Sequence, residues 1–167
     1  INMKQSYAET VVKREKTLAT MGLGLLMVLG IIVGIILLFS RGFLSLIGAV
    51  IIVAIIYSFP MLNVEYEYIF VDGQLDFDRV TGNSKRKSIM RIDMEQVEII
   101  APATSNALDS YKNINYDKKD YSSRSKGSKP YVIIASVENK MYKILFEPDE
   151  GMINTIRKKS PRKIALY

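Results

Sequence analysis

Two pairs of carboxylates come closest, by type and spacing, to an acid–base site. Glu65 and Glu67 stand two residues apart, as do Asp76 and Asp78, on either side of an Asp-Gly turn signal in VEYEYIFVDGQLDFDRV. Residues two apart on a strand share one face, whereas a hydrolytic acid–base pair must flank a cleft. We therefore expect these carboxylates to line a solvated face of a β-hairpin.

A basic cluster follows directly after this hairpin. Lys85, Arg86 and Lys87 are consecutive, and Arg91 follows four residues after Lys87. Basic residues beside an anionic membrane surface each contribute about 1 kcal/mol of attraction. The cluster therefore admits two interpretations, a solvated turn or a contact with anionic lipid, and a second basic run from Arg157 to Lys163 would add to the latter.

The rest of the composition gives little support for catalysis. The chain has no His and no Cys, the residues that most often supply general bases, thiol nucleophiles and zinc ligands. The spacing of Asp72, Asp76 and Asp78 matches no calcium loop, and no nucleotide-binding or hydrolase motif is present. We expect a protein that is not an enzyme, without a metal or cofactor. The net charge of +6 comes without a reading motif for nucleic acid, so no nucleic-acid partner is expected.

Two apolar segments without charge dominate the first part of the chain. Residues 18–39 and 43–62 would form helices about 33 and 30 Å long, enough to cross a hydrocarbon core of about 30 Å. A cleavable signal peptide is excluded because the first segment is too long and a second follows at once. Helices buried in a soluble protein would show a polar stripe, which neither segment has. The linker between the two segments consists of Ser40, Arg41 and Gly42. Because it is so short, the second helix must run back antiparallel to the first, and residues 18–62 form a helical hairpin.

The basic residues near the spans predict their orientation. Lys13, Arg14 and Lys16 precede the first span, whereas the connecting loop offers Arg41 alone. Because the larger basic count stays inside, we expect a multi-pass protein of the cell membrane with both termini in the cytoplasm.

Small residues recur one helical turn apart in both spans, where they allow helices to approach closely. Gly30 and Gly34 form such a step in the first span, and Ser45 and Ala49 form a weaker one in the second. They favour packing of the two spans of one chain, with self-association as the alternative.

Alternating apolar residues after residue 63 predict short strands. Residues 64–100 read as a four-stranded antiparallel meander, and 130–147 as a further hairpin. The predicted core positions are Val64, Tyr66, Tyr68, Phe70, Leu75, Phe77, Met90, Ile92, Met94, Val97 and Ile99. Residues 101–129 form a polar insertion, and we expect part of it to be mobile or to hold a short element.

A helix is predicted to close the chain. Pro148 suits its first turn, Asp149 and Glu150 complement its amino end, and Met152, Ile153 and Ile156 would face the sheet. We therefore divide the chain into a cytoplasmic N-terminal segment 1–17, a transmembrane hairpin 18–62 and a cytoplasmic domain 63–167.

The order of these segments resembles an uncharacterised family of Gram-positive bacterial membrane proteins that carry a PH-like domain after a transmembrane hairpin. The resemblance rests on the basic N-terminus, the two spans, EYEYIFVDGQLDF, the KRK turn, SIMRIDMEQVEII and the FEPDEG helix. It implies an α+β membrane protein with a PH-like antiparallel β-barrel or sheet capped by a C-terminal helix, and it implies no activity.

These observations together favour a membrane-anchored interaction or scaffold module, for example an accessory subunit of a membrane complex. Its expected partners are the bilayer and either another protein or a second copy of the chain. Sensing of anionic lipid headgroups through Lys85, Arg86, Lys87 and Arg91 is the alternative.

Overall fold

The structure, a computed structural model, describes residues 6–82 and 84–165. The described chain forms two compact units. A helical unit comprises residues 15–64 and 81–85, and a β unit comprises residues 6–14, 65–80 and 86–165.

The helical unit is an antiparallel hairpin of α1 (Leu18–Leu38) and α2 (Phe43–Ser58), followed by a 3-10 helix (Phe59–Leu62). The Thr17 side chain accepts a hydrogen bond from the Thr20 N–H and so caps α1. Gly42 takes a φ of +78°, a conformation that suits glycine, in the turn between the helices. The second helix ends earlier than predicted because Pro60 has no N–H to continue the α-helical ladder.

Both helical segments, Leu18–Leu38 and Phe43–Leu62, are long and apolar enough to cross a membrane by length and composition. Their mean hydropathies are 2.9 and 2.4, and few of their side chains are buried within the structure. Only Gly34 and Gly48 are fully buried in the two helices.

The β unit contains two four-stranded sheets. The first has the order β1-β2-β3-β4, and the second has the order β5-β7-β8-β6. The strands are β1 (Tyr7–Lys13), β2 (Val64–Val71), β3 (Gln74–Thr81), β4 (Lys85–Asp93), β5 (Val97–Pro102), β6 (Asp117–Asp120), β7 (Tyr131–Val137) and β8 (Lys140–Phe146).

The N-terminal strand β1 is part of the β unit, although the sequence grouped residues 1–17 apart. It pairs antiparallel with β2 in a register that runs from Tyr7 opposite Val71 to Lys13 opposite Glu65. The entire helical hairpin is thus the connection between two neighbouring strands of one sheet.

Two details of the predicted sheet are wrong. The described strands form two separate sheets and no closed barrel, because β5, the fourth strand of the predicted meander, leaves its neighbours and pairs with β7. The sheets are also not purely antiparallel, since β6 from the polar insertion pairs parallel with β8.

The predicted core is confirmed at its centre. Tyr68, Phe70, Leu75, Phe77 and Ile92 are fully buried. The rings of Tyr68 and Phe77, from the first sheet, meet the ring of Phe146, from the second, at centroid distances of 5.6 and 5.9 Å. Edge-to-face aromatic contacts of this kind therefore join the two sheets.

The closing helix α3 (Glu150–Lys159) buries Met152, Ile153 and Ile156 as predicted. Its N-cap is Asp149, whose carboxylate accepts a hydrogen bond of 2.7 Å from the Met152 N–H. Pro148 therefore precedes the cap instead of standing in the first turn.

The insertion 101–129 is a cover for the second sheet. It contains a 3-10 helix (Asn106–Tyr111) and β6, and its Leu108 packs with Val132 and Ile134. Leu108 thus covers one apolar face of the β7–β8 hairpin.

Candidate functional site

The small residues of the two spans meet each other within this chain. A Cβ atom on Gly48 would lie 2.6 Å from the Gly34 carbonyl oxygen, and one on Gly30 would lie 2.7 Å from Ile55 Cδ1. Gly30 and Gly34 thus face α2, in agreement with packing inside one hairpin. On α2 the residue that contacts α1 is Gly48. The predicted packing residue Ala49 lines a groove instead. The hydroxyl of Ser45, the other predicted packing residue, donates a hydrogen bond to the Gly42 carbonyl.

The tip of the β3–β4 hairpin belongs to the helical unit. The Gly82 N–H donates to the Asn63 carbonyl over 3.0 Å, and Gly82 takes a φ of +63° against Pro60. Lys85 then places its ammonium 3.1 Å from the Tyr57 hydroxyl and 5.2 Å from the centre of that ring. The first residue of the basic cluster is therefore held beside an aromatic residue at the end of α2.

The two arginines of the cluster are engaged by carboxylates of the β unit. Arg86 lies 2.5 Å from Glu67 and 4.0 Å from Asp78. Arg91 binds both oxygens of Asp76, at 2.6 and 2.8 Å. These pairs leave Lys85 and Lys87, which are exposed and form no ion pair within the described residues, as the cluster's available cations.

Glu67 is buried on the outer face of the first sheet, where the sequence predicted a solvated carboxylate. Only 4% of the surface of Glu67 is exposed. Burial and a hydrogen bond shared with Glu9 raise its pKa, although the charge of Arg86 opposes the shift. The hydroxyl of Tyr7 donates to Glu9, and this bond, with the one to Glu67, lowers the pKa of Glu9. The positive charge of Arg86 therefore acts on two carboxyl groups from neighbouring strands, those of Glu9 and Glu67.

The natural chain is expected to lose stability as pH rises because Glu67 ionises, and Glu67→Gln is expected to remove this loss. Because the folded-state pKa of Glu67 is raised, its stabilising contribution is complete below the ordinary Glu pKa of about 4.3 and disappears as pH rises through the raised value. The variant's free energy of unfolding, relative to the natural chain, should therefore increase from about pH 4 to about pH 8. Urea unfolding of the full chain in micelles, followed by tyrosine circular dichroism, measures this difference.

Glu65→Gln on the same strand is the matched control. Glu9 is present in the natural chain and in both variants. Its pKa is lowered, so its contribution to stability has the opposite pH dependence: it is present above the ordinary Glu pKa and is lost as pH falls. A stability difference for Glu67→Gln that does not change with pH would contradict the expectation.

Asp120 is the centre of a second polar cluster in the β unit. Its carboxylate accepts hydrogen bonds from Ser122, at 2.6 Å, and from Arg124, at 2.6 Å, and it lies 3.4 Å from Arg14. Burial alone would raise the pKa of this carboxyl, but the bonds from Ser122 and Arg124 and the charge of Arg14 together lower it. Arg14 also donates to the Asp120 carbonyl over 2.7 Å and to the Tyr66 hydroxyl over 3.1 Å.

Replacing Arg14 by Met is expected to destabilise the β unit by about 2 kcal/mol, since hydrogen bonds to charged groups contribute on this scale. The Arg14 side chain is 16% exposed, so water cannot fully replace the lost donor. Arg124→Met removes the other guanidinium from the same carboxylate, but that side chain is 50% exposed, and the expected loss is below about 1 kcal/mol. Equal losses in urea unfolding of the two full-length variants would show that Arg14 has no special role.

Among the residues that the structure describes, no group of three or more His, Cys, Asp or Glu side chains is arranged to hold a metal ion.

A family model for a bacterial PH-like domain (DUF6106) matches residues 4–166, nearly the whole chain. The chain belongs to this bacterial PH-like domain family. The match extends over β1 and the helical hairpin as well as the later strands, so the PH-like family unit includes the segment that the sequence set apart. No curated protein and no solved structure matches the chain.

Membership of a PH-like family suggests a module that binds lipid or protein. Sequence reasoning found the basic cluster of this PH-like chain but missed the burial of Glu67 and the pairing of the arginines. A signal was present, because Asp76 and Asp78 stand on the strand before Arg86 and Arg91, and opposite charges on neighbouring strands attract.

Proposed function

We propose that this chain is a membrane-anchored, non-enzymatic interaction module that holds its PH-like domain at the inner leaflet and binds a protein partner. The observation that carries the proposal is the position of the apolar hairpin between two paired strands, Lys13 opposite Glu65. The anchor therefore lies, in chain order, between two paired strands of the domain's own sheet. The absence of His and Cys from the sequence supports a role other than catalysis.

Membrane insertion of the hairpin is supported by its exposed apolar surface. Side chains such as Leu25, Leu26, Ile36 and Val53 are exposed throughout α1 and α2, and lipid would remove this surface from water. Because a short turn joins α1 and α2 into an antiparallel hairpin, both ends of the hairpin would lie on the same side of a bilayer. The basic residues before α1 favour the cytoplasmic side.

Single cysteines test this topology, since the natural chain has none. In intact cells a membrane-impermeant maleimide should label Ser40→Cys, in the loop between the spans, and leave Ser88→Cys unlabelled until the cells are lysed. Labelling of Ser88→Cys in intact cells would refute the cytoplasmic orientation. Extraction of the natural chain by alkaline carbonate would refute membrane insertion.

The outer face of the first sheet is the proposed surface for the protein partner. Tyr7, Val11 and Val71 are 57%, 54% and 36% exposed, and Tyr7 lies directly opposite Val71 in the register. The carboxylate of Glu9 stands between Tyr7 and Val11 on the same strand. A partner with apolar side chains and a basic group would complement this surface.

Val11→Glu should weaken binding of such a partner by tenfold or more, because it places a charge in the apolar contact. The full chain is purified from its native membrane in mild detergent, and its co-purifying proteins are quantified. Ile114→Glu is the matched control, since Ile114 is 41% exposed elsewhere on the β unit. Equal recovery of every co-purifying protein with both variants would contradict the proposed surface.

Contact of the basic cluster with anionic lipid is the second candidate function, and the position of Lys85 beside Tyr57 favours it. Tyrosine rings are enriched at membrane interfaces, so Lys85 would stand at headgroup level. Arg86 and Arg91 are engaged by carboxylates, which assigns the contact to Lys85 and Lys87.

Hydrogen–deuterium exchange in nanodiscs tests the second candidate. Residues 84–88 should exchange more slowly with phosphatidylglycerol than with phosphatidylcholine, and Lys85→Gln with Lys87→Gln should abolish the difference. Equal exchange of the natural chain in both lipids would contradict the lipid contact.

A further inference from the structure

An apolar groove runs along the outer face of α2. Ala49, Val50, Val53, Ala54 and Tyr57 line it, around a cavity of about 480 Å³. Their spacing of one, three, one and three residues keeps all five on one side of the helix. The small side chains Ala49 and Ala54 lie among the larger Val50, Val53 and Tyr57, and the depression between them is shallow and open.

The groove does not take part in the packing of the hairpin. The face of α2 that meets α1 carries Gly48, Ile52 and Ile55. Val50, Val53 and Ala54, by contrast, are exposed. The groove is therefore open to whatever surrounds the hairpin.

A cation marks one end of the groove. The Lys85 ammonium lies 3.1 Å from the hydroxyl of Tyr57, the last lining residue, and the Gly82 N–H, three residues before Lys85, donates a hydrogen bond to the Asn63 carbonyl. Lys85 has no carboxylate partner among the described residues, so its charge is available to a ligand.

We propose that this groove binds one anionic phospholipid of the bilayer, with an acyl chain along Ala49, Val53 and Ala54 and the phosphate at Lys85. The proposal rests on the membrane insertion proposed above. A phospholipid matches both features, because its chain is apolar where the groove is apolar and its phosphate is anionic where Lys85 is cationic.

A second copy of the hairpin fits this site less well. Residues 18–62 contain no Asp or Glu, so a neighbouring span would offer no carboxylate to Lys85. The ammonium would then be covered without a counter-charge, which is unfavourable.

Native mass spectrometry of the full chain, released from nanodiscs of equal phosphatidylglycerol and phosphatidylcholine content, tests the proposal. The natural chain should retain phosphatidylglycerol in preference to phosphatidylcholine. Lys85→Gln should reduce that preference about fivefold, the equivalent of about 1 kcal/mol per basic residue. Ala54→Leu should fill the groove and reduce retention of both lipids.

Two matched variants separate this site from general effects. Lys140→Gln removes an exposed charge elsewhere on the β unit, and Ala19→Leu adds the same side chain on exposed α1; neither should change lipid retention. Equal effects of Lys85→Gln and Lys140→Gln, or unchanged retention in Ala54→Leu, would overturn the proposal. A dimer in the natural chain that Ala54→Leu abolishes, with no lipid retained, would assign the groove to a second copy and also overturn it.

Failure of this proposal is distinguishable from failure of the membrane anchor. A chain that resists alkaline carbonate but shows no lipid preference refutes the groove site alone. A chain that carbonate extracts refutes the anchor and the groove site together.

Discussion

Replacement of Gly48 by Leu is expected to separate α1 from α2. A Cβ at this position would meet backbone on the other helix, at 2.6 Å from the Gly34 oxygen and 2.8 Å from the Leu38 nitrogen. Backbone cannot rotate away as a side chain can, so the helices must move apart and lose their close packing. We expect a loss of at least about 3 kcal/mol, the upper end of the usual range for overpacking.

The measurement is the midpoint of helix loss when SDS is titrated into the full chain in mild detergent. Gly22→Leu is the matched control, because a Cβ on Gly22 meets nothing within 4 Å. A lower midpoint for Gly48→Leu, with Gly22→Leu near the natural chain, is the expected pattern. Equal midpoints would mean that the contact between Gly34 and Gly48 does not hold the hairpin together.

Replacement of Phe77 by Ala is expected to unfold much of the β unit. The Phe77 ring is fully buried and contacts the rings of Tyr68, Tyr121 and Phe146 at centroid distances between 5.2 and 5.9 Å. Removing a buried phenyl group costs about 3–5 kcal/mol, a large part of the total stability of about 5–15 kcal/mol that is usual for a domain.

Loss of tyrosine circular dichroism in urea reports this change in the full chain. Phe77→Leu retains most of the volume and should lose less than about 1.5 kcal/mol. If Phe77→Ala were as stable as Phe77→Leu, the aromatic cluster would not be what joins the two sheets.

The elements that the sequence predicted are those with a strong local signal. The two spans follow from composition, β2 and β3 from alternation around the Asp72-Gly73 turn, and α3 from its acidic amino end and the spacing of Met152, Ile153 and Ile156. The strand β6 carries no such signal, because Asp117–Asp120 contains two Asp and two Lys residues and no apolar one. It forms through backbone pairing with β8, which residue type does not reveal.

Pairing between distant strands was the other missing information. Alternation identifies a strand and its buried face but not its neighbour. The partner of β2 is therefore hidden by the helical hairpin that separates it from β1, and the transfer of β5 to the second sheet is likewise invisible in the local pattern.

The candidate site likewise combines residues that the sequence identifies with contacts that only the folded structure creates. The basic residues 85–87 and 91 could be found by type alone. Which of them are available depends on carboxylates that only the folded sheet places beside them, such as Glu67 beside Arg86. The raised pKa of Glu67 depends in part on a hydrogen bond with Glu9, from a strand that the sequence did not predict.

The placement of residues 14–63 between β1 and β2 has a consequence for biosynthesis. The ribosome releases β1 before either span and β2 only after both, so the first sheet gains its edge strand only once the hairpin has been made. A nascent chain stalled inside the hairpin would expose an unpaired β1 to chaperones and proteases. In the finished protein, a single cut in the loop after α1 would leave the two pieces joined by the seven residue pairs between β1 and β2, so proteolysis there would not shed the domain.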